Sequence, residues 1–303
     1  MEFLYKLQQI RTPGLTKLML ALTELGGETV FLVLALIVFW CVDKRRGYFM
    51  MTVGFVGTVC NQFMKLFCRI PRPWVLDPEF TPVEQALEDA SGYSFPSGHS
   101  QSAVGTFGGI AYTVKNKWIK GICIAIAVLV PLSRMYIGVH TPADVLVGAA
   151  MALVLVIGLR KPVLAQKDKN MKILIAVMLA VSVGFLLYVE CFSFPADMDA
   201  HNLESGMKNA YTLLGCLVGI AVVYVVDSRY LHFDTSAIWW AQILKILLGL
   251  GTVLAIKSGF KAPLEMLLPV YPARAVRYFL IVAWAGIGWP STFRYFAKLG
   301  VKK

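Results

Sequence analysis

Charge is scarce in this chain: Asp, Glu, Lys and Arg account for only 16% of its 303 residues, and there are just four histidines. Set beside 57% hydrophobic positions and a mean hydropathy of +0.66, that shortage excludes both an ordinary water-soluble domain and a disordered one. The six cysteines, at positions 41, 60, 68, 123, 191 and 216, lack metal-ligand spacing and lie mostly within apolar stretches. They read as small apolar fillers, and neither zinc nor a disulfide framework is expected. No internal repeat is present. The opening residues also lack the layout of a cleaved signal peptide, because charged positions interrupt the apolar ones. Residues 1–17 read instead as an interfacial helix with Phe3, Leu4, Leu7 and Ile10 on one side.

What the chain does have is apolar length. A hydrocarbon core about 30 Å thick takes about 20 residues of helix to cross, and stretches near that length recur almost throughout. About nine spans are expected, near 28–42, 47–66, 98–114, 119–137, 142–160, 172–189, 209–226, 237–256 and 274–291. The short first one is completed by residues 15–25 across Gly26-Gly27. The expected fold is therefore all-α, a polytopic membrane bundle. Its divisions are an N-terminal lead-in over 1–27, a core over 28–160, and a C-terminal extension over 161–303 without an identifiable chemical signature.

The formal charge of +11 does not indicate nucleic acid, because the cations are spread through short loops. Lys44, Arg45 and Arg46, then Lys115, Lys117 and Lys120, then Arg160, Lys161, Lys167, Lys169 and Lys172, and finally Arg294, Lys298, Lys302 and Lys303 occupy alternate connections. By the positive-inside bias these face the cytoplasm. The loops at 77–95 and 190–205 carry Asp77, Glu79, Glu84, Glu88, Asp89, Glu190, Asp197, Asp199 and Glu204, and so face outward. The expected location is the cytoplasmic membrane, with the bilayer as partner and the motifs below on its outer side.

Three blocks carry chemistry: Lys65-x6-Arg72-Pro73, Pro96-Ser97-Gly98-His99, and Ser133-Arg134-x5-His140-x3-Asp144. Pro71 and Pro73 end the second span near Ile70 and hold Arg72 in an extended segment. Alone, Lys65 and Arg72 would be interface anchors; beside the other blocks they are a phosphate clamp. Ser97 is an N-cap, and the small Gly98 lets an anion approach the free amides of the following helix. Thr141, Pro142 and Asp144 form a capping box with Asp in place of Glu, which brings Asp144 within reach of His140. A carboxylate accepting from Nδ1–H leaves Nε2 free as a nucleophile. Residues 73–95, long and acidic, are expected to cover the site.

These residues resemble the type 2 phosphatidic acid phosphatase family, the lipid phosphate phosphatase and vanadium haloperoxidase superfamily, in its membrane-bound branch. Eleven fixed identities in order match, over roughly residues 28–160. The resemblance implies that His140 attacks phosphorus, Asp144 orients it, and His99 protonates the leaving group and then activates water. It implies that Lys65, Arg72, Arg134, Ser97 and the amide of Gly98 hold the phosphate oxygens. Each close cation–anion pair contributes up to about 4 kcal/mol at an effective dielectric near 20, so three cations can replace a divalent metal. No cofactor or metal is expected.

The expected function is hydrolysis of a lipid phosphate or diphosphate, a polyprenyl diphosphate such as undecaprenyl diphosphate being favoured over phosphatidic acid or phosphatidylglycerol phosphate. A sugar phosphate or sphingoid-base phosphate is the alternative within enzymes. From another class comes a non-catalytic lipid transporter or binder, disfavoured because His140, His99 and the arginines are all present. Oligomeric state is not indicated. Of the remaining groups, His201 and His232 read as solvated, Lys245 as bonded to an acid or carbonyl beside Gln242 inside the bundle, and Trp239-Trp240 as interfacial.

Overall fold

Proline and hydroxyl side chains set many of the helix ends in the computed structural model, which describes all residues except 89, 91, 166, 197 and 300–303. Asp89, Asp197, Lys302 and Lys303, used above to assign loop charge, lie outside the described residues. Helices α1 (Glu2–Gln9) and α2 (Pro13–Glu24) are separated because Thr12 caps α2, its Oγ1 accepting from the Leu15 amide, and Pro13 takes the first helical position. This differs from a single interfacial helix over 1–17. The Thr-Pro start signal interrupts it, and Leu4 turns inward beside Phe80, Met135 and Val145 while Phe3 and Ile10 remain exposed.

α3 (Glu28–Ile37) continues through a π-helical turn at Val38–Val42 and makes a 50° bend with α2 at Gly26-Gly27. Then come α4 (Lys44–Cys68), the short α5 (Pro73–Leu76), α6 (Gly98–Ala103), a π turn at Val104–Gly108 and α7 (Gly109–Thr113). The remaining helices are α8 (Lys117–Tyr136), α9 (Pro142–Leu164), α10 (Asp168–Cys191), α11 (Ala200–Val226), α12 (Trp239–Gly259), α13 (Lys261–Leu267), α14 (Val270–Ala283) and α15 (Phe293–Phe296).

All nine expected apolar stretches fall on helices, and no strand occurs among the described residues. Among the described residues, five helical stretches, 117–136, 142–164, 168–191, 200–231 and 239–267, are long and apolar enough to cross a membrane unaided. The bent α2–α3 pair makes a sixth. Leu146, Val154, Ile157, Leu187, Leu247 and Leu254 are more than half exposed along these helices, which a lipid surrounding satisfies and water would not.

The chain forms two compact units. The first comprises residues 1–34, 49–161 and 194–206. Its core includes Ala103, Phe107, Ala111, Cys123 and Val130, packed by Leu25, Val30 and Leu34. The second comprises residues 35–48, 162–193 and 207–303. Aromatic edges organise it: Phe39 meets both Tyr48 and Phe233 with ring centroids 5.1 Å apart, and the indole of Trp40 donates to the Ala285 carbonyl at 2.8 Å. Lys245, fully buried in α12, donates to the Thr235 carbonyl at 3.0 Å, and Gln242 joins it there at 2.9 Å. The lysine is satisfied by a carbonyl inside the bundle and by the Phe293 ring, 4.2 Å from its Nζ.

Candidate active site

Three helix ends of the first unit build one polar pocket, and each end is shaped by local sequence. α8 stops in a Schellman motif: the Val139 amide reaches the Arg134 carbonyl at 3.2 Å and the Gly138 amide reaches Met135 at 3.1 Å. Gly138 has φ +82°, and a Cβ there would lie 2.7 Å from Arg11 and 2.9 Å from Phe80. The chain is thereby turned so that His140 precedes α9. Thr141 and Asp144 close the capping box, the Thr141 amide donating to Oδ2 at 2.7 Å and the Asp144 amide to Thr141 Oγ1 at 3.3 Å. Ser97 caps α6 by accepting from the Ser100 amide, and its own amide donates to the Asp144 carbonyl at 2.9 Å, tying α6 to α9. The two helices touch so closely that a Cβ on Gly148 would stand 2.5 Å from the Ser97 carbonyl oxygen.

His140 is 2% exposed and is gripped at both nitrogens. Arg72 Nη1 lies 3.0 Å from Nε2, and since a guanidinium has only donors, Nε2 accepts and the proton belongs on Nδ1. On that side Asp144 Oδ2 is 3.5 Å away, longer than a tight hydrogen bond. Ser94 supplies the short link: its hydroxyl donates to Oδ2 at 2.6 Å and lies 3.4 Å from Nδ1. Burial holds the imidazole well below its ordinary protonation range, and nearby Arg72, Arg134, Lys65 and His99 reinforce the effect.

The expected cations converge. Arg72 is buried, donates through Nη1 to the Val139 carbonyl at 2.9 Å and through Nε to Gly92 at 3.0 Å, and burial lowers its guanidinium to about 10 despite the opposing field of Asp144. Lys65, buried near the end of α4, donates to the Tyr93 carbonyl. Arg134 is 1% exposed and donates to Thr23 Oγ1 at 2.8 Å. His99, half-buried, and Gly98 occupy the first turn of α6 beside this cluster. So Lys65, Arg72, Arg134 and His99 all lie close enough to act on the charge of His140, and the Gly92 and Tyr93 carbonyls and Ser94 wall the site.

Sequence reasoning missed Ser94, which is fully buried and anchored by its amide on the Ile70 carbonyl at 2.9 Å. No periodic signal marks it, because it lies in an irregular segment. It also missed Asn61, 1% exposed, one turn before Lys65 on α4; its side-chain amide donates to the Pro96 carbonyl at 3.3 Å, and a buried amide inside a membrane helix was the available clue. Arg69 is the third omission. Its φ is +51°, a left-handed conformation costly to any residue with a Cβ, and its Nη1 is buried without a hydrogen bond among the described residues. Arg69 and Arg72 line a cavity of about 840 Å³ that His201 and Asn202 also reach. His201 is thus exposed, as expected, yet faces a space beside the site.

Residues 46–168 match the PAP2 superfamily, and residues 211–302 match the PAP2 superfamily phosphatase transmembrane extension. The chain is 35% identical over 159 residues to phosphatidylglycerophosphatase B of Bacillus subtilis, covering 48% of this chain and 74% of that protein. It is 33% identical over 136 residues to an undecaprenyl-diphosphatase of Sulfolobus acidocaldarius, covering 44% and 64%. A third relative, undecaprenyl-diphosphatase BcrC of Bacillus subtilis, is 30% identical over 102 residues, covering 34% and 50%. No solved structure gives a significant match.

Proposed function

Since this chain belongs to the PAP2 superfamily and is a multi-pass membrane phosphatase, we propose that it hydrolyses a lipid phosphate or diphosphate, a polyprenyl diphosphate above others, through a phosphohistidine on His140. The observation that carries the reading is the grip on His140: Nδ1 faces Ser94 and Asp144 while Nε2 faces the guanidinium of Arg72. Substrate phosphate draws Arg72 from Nε2 to its own oxygens, which uncovers the lone pair beside the phosphorus. Nε2 then forms the N–P bond as the P–O bond to the leaving group breaks, and His99 gives that oxygen a proton. Asp144, held by Ser94 and the Thr141 amide, stabilises the imidazole as positive charge develops. In the second step His99 takes a proton from water, the water oxygen bonds phosphorus, and the N–P bond breaks.

Lys65, Arg72, Arg134, Ser97 and the Gly98 amide hold the equatorial oxygens throughout. Diphosphate is favoured because Arg69 lines the adjoining cavity beside Arg72 and adds a second positive charge where a second phosphate would lie. The names of two relatives favour an undecaprenyl diphosphate, and that of the third a phosphatidylglycerol phosphate. The alternation of basic and acidic loops favours an outward-facing site.

Phosphate release by the purified full chain tests this across prenyl diphosphates, prenyl monophosphates, phosphatidic acid, phosphatidylglycerol phosphate and a sugar phosphate, with chelator present. Turnover of prenyl substrates that chelator leaves intact and His140→Ala abolishes is expected. Equal turnover by His140→Ala, or strict dependence on added magnesium, would reject the mechanism. Preference for the sugar phosphate would reject the lipid assignment.

A further inference from the structure

The second unit holds a concentration of positive charge that hydrolysis does not use. A cavity of about 790 Å³ is lined by Lys208 of α11, Lys257 of α12, Lys261 of α13, and Arg274 and Arg277 of α14, with Glu265 as the one carboxylate among its lining residues. Lys257, Lys261, Arg274 and Arg277 outnumber Glu265 around this space, and the net positive potential they give it favours an anion. The two arginines make the case specific. They are three residues apart, so they share a face of α14, and both guanidiniums flank the ring of Tyr278, at 5.4 and 5.7 Å from its centroid.

Arg274 is oriented by its Nε, which donates to Thr212 Oγ1 at 2.6 Å, leaving the outer edge of its fork for another partner. Arg277 is only 6% exposed, and its Nε is buried with no hydrogen bond among the described residues. A guanidinium taken out of water with a donor unsatisfied carries a desolvation cost that the charge of an oxyanion in the cavity offsets. Leu254 and Val270 share the lining, so the space joins apolar surface to its cationic groups. In a membrane protein that combination matches a charged headgroup with its chains lying against the helices.

We propose that this cavity is a second, non-catalytic anion site that binds a phosphate group, presented by an anionic phospholipid headgroup, with Arg274 and Arg277 as its fork. The site is independent of the hydrolytic reading, since no residue of either cavity is shared.

Native mass spectrometry of the full chain, released from vesicles of equal phosphatidylglycerol and phosphatidylcholine, tests it. Phosphatidylglycerol is a phosphodiester, so a phosphomonoesterase does not consume the probe. Wild-type protein is expected to retain phosphatidylglycerol at least tenfold over phosphatidylcholine, and Arg274→Gln/Arg277→Gln to lose that preference while its phosphate release in phosphatidylcholine stays within twofold. Should the arginine variant fail to fold, Lys257→Gln/Lys261→Gln, at two exposed positions, is expected to weaken retention several-fold.

Millimolar inorganic phosphate separates the sources. Retention that it does not disturb assigns the site to the lipid headgroup, and displacement of the lipid by it assigns the site to free phosphate. Equal retention of the two lipids by the wild type, or an undiminished phosphatidylglycerol preference in folded cavity variants, would overturn the proposal.

Discussion

Ser94→Ala probes the part of the site that no motif announces. The Ser94 hydroxyl is fully buried and gives Asp144 its shortest hydrogen bond, 2.6 Å, while its oxygen lies 3.4 Å from the imidazole Nδ1. Without it, the direct imidazole–carboxylate separation of 3.5 Å is all that connects the two groups. A hydrogen bond to a charged acceptor contributes about 1.5–3 kcal/mol. The carboxylate matters most as Nε2 bonds phosphorus and the ring becomes cationic, so the greater part of that energy belongs to the transition state. At about 1.4 kcal/mol per factor of ten, kcat is expected to fall roughly ten- to a hundredfold.

KM is expected to change less than about threefold, because the hydroxyl faces Asp144 and not the phosphate-binding cations. The assay is phosphate release from a short-chain prenyl diphosphate by the full chain in phosphatidylcholine vesicles, with thermal unfolding run alongside. An unchanged kcat in a folded Ser94→Ala protein, or a loss confined to KM, would refute the role assigned to Ser94.

Arg69→Gly separates recognition from folding: glycine adopts φ +51° freely, so the thermal midpoint holds or rises, with up to about 1 kcal/mol of strain relieved. Its kcat/KM for prenyl diphosphate is expected to drop at least tenfold while that for the monophosphate moves less than threefold; equal effects would contradict a second-phosphate role. Gly148→Ala places a methyl 2.5 Å from the Ser97 carbonyl, a backbone atom that cannot swing away, so unfolding is expected about 1–3 kcal/mol easier with weakened turnover, and a neutral result would contradict the contact.

The pH dependence follows from His140, whose folded-state pKa lies below the unfolded value near 6.5. Between those values the unfolded chain binds the extra proton, so stability falls as pH drops below about 6.5, by up to about 1.4 kcal/mol per unit, and is flat above it. His140→Gln should remove that part of the slope in thermal unfolding from pH 7.5 to 5; identical slopes would count against a buried neutral imidazole.

Much of the site was legible because its parts are helix ends, and helix ends are written locally. Thr141-Pro142-x-Asp144 is a capping box whether or not the fold is known, and Ser97-Gly98 is a helix start, so the positions of His140 and His99 followed. The Schellman stop at Gly138 that feeds His140 into the pocket was not read from the sequence, where a lone glycine between motif residues drew no attention. The break between α1 and α2 was equally local, and reading an amphipathic face through residues 1–17 overran the Thr12-Pro13 signal. Ser94 and the Gly92 and Tyr93 carbonyls were hidden for a different reason. They belong to an irregular segment whose path is set by tertiary contacts, Ser94 on Ile70 above all, and no period or cap encodes it. Arg69 was obscured by the proline at 71, which suggested an extended exit without showing the left-handed turn two residues earlier. The basic cavity of the second unit was hidden by distance along the chain, since Lys208 and Arg277 are 69 positions apart in number and meet only through helix packing.

Covalent capture addresses the central claim most directly. The 303-residue chain is mixed with prenyl diphosphate labelled in its terminal phosphate, quenched in alkali within the first turnover, and its peptides are sequenced by mass spectrometry, with His99→Ala included to slow hydrolysis of the intermediate. The account predicts an alkali-stable, acid-labile phosphate on His140, missing from His140→Ala and more abundant in His99→Ala, because a prenyl phosphate leaves with little help from an acid whereas water needs the base. Label on any other residue, or full turnover with no labelled histidine in either protein, would contradict it.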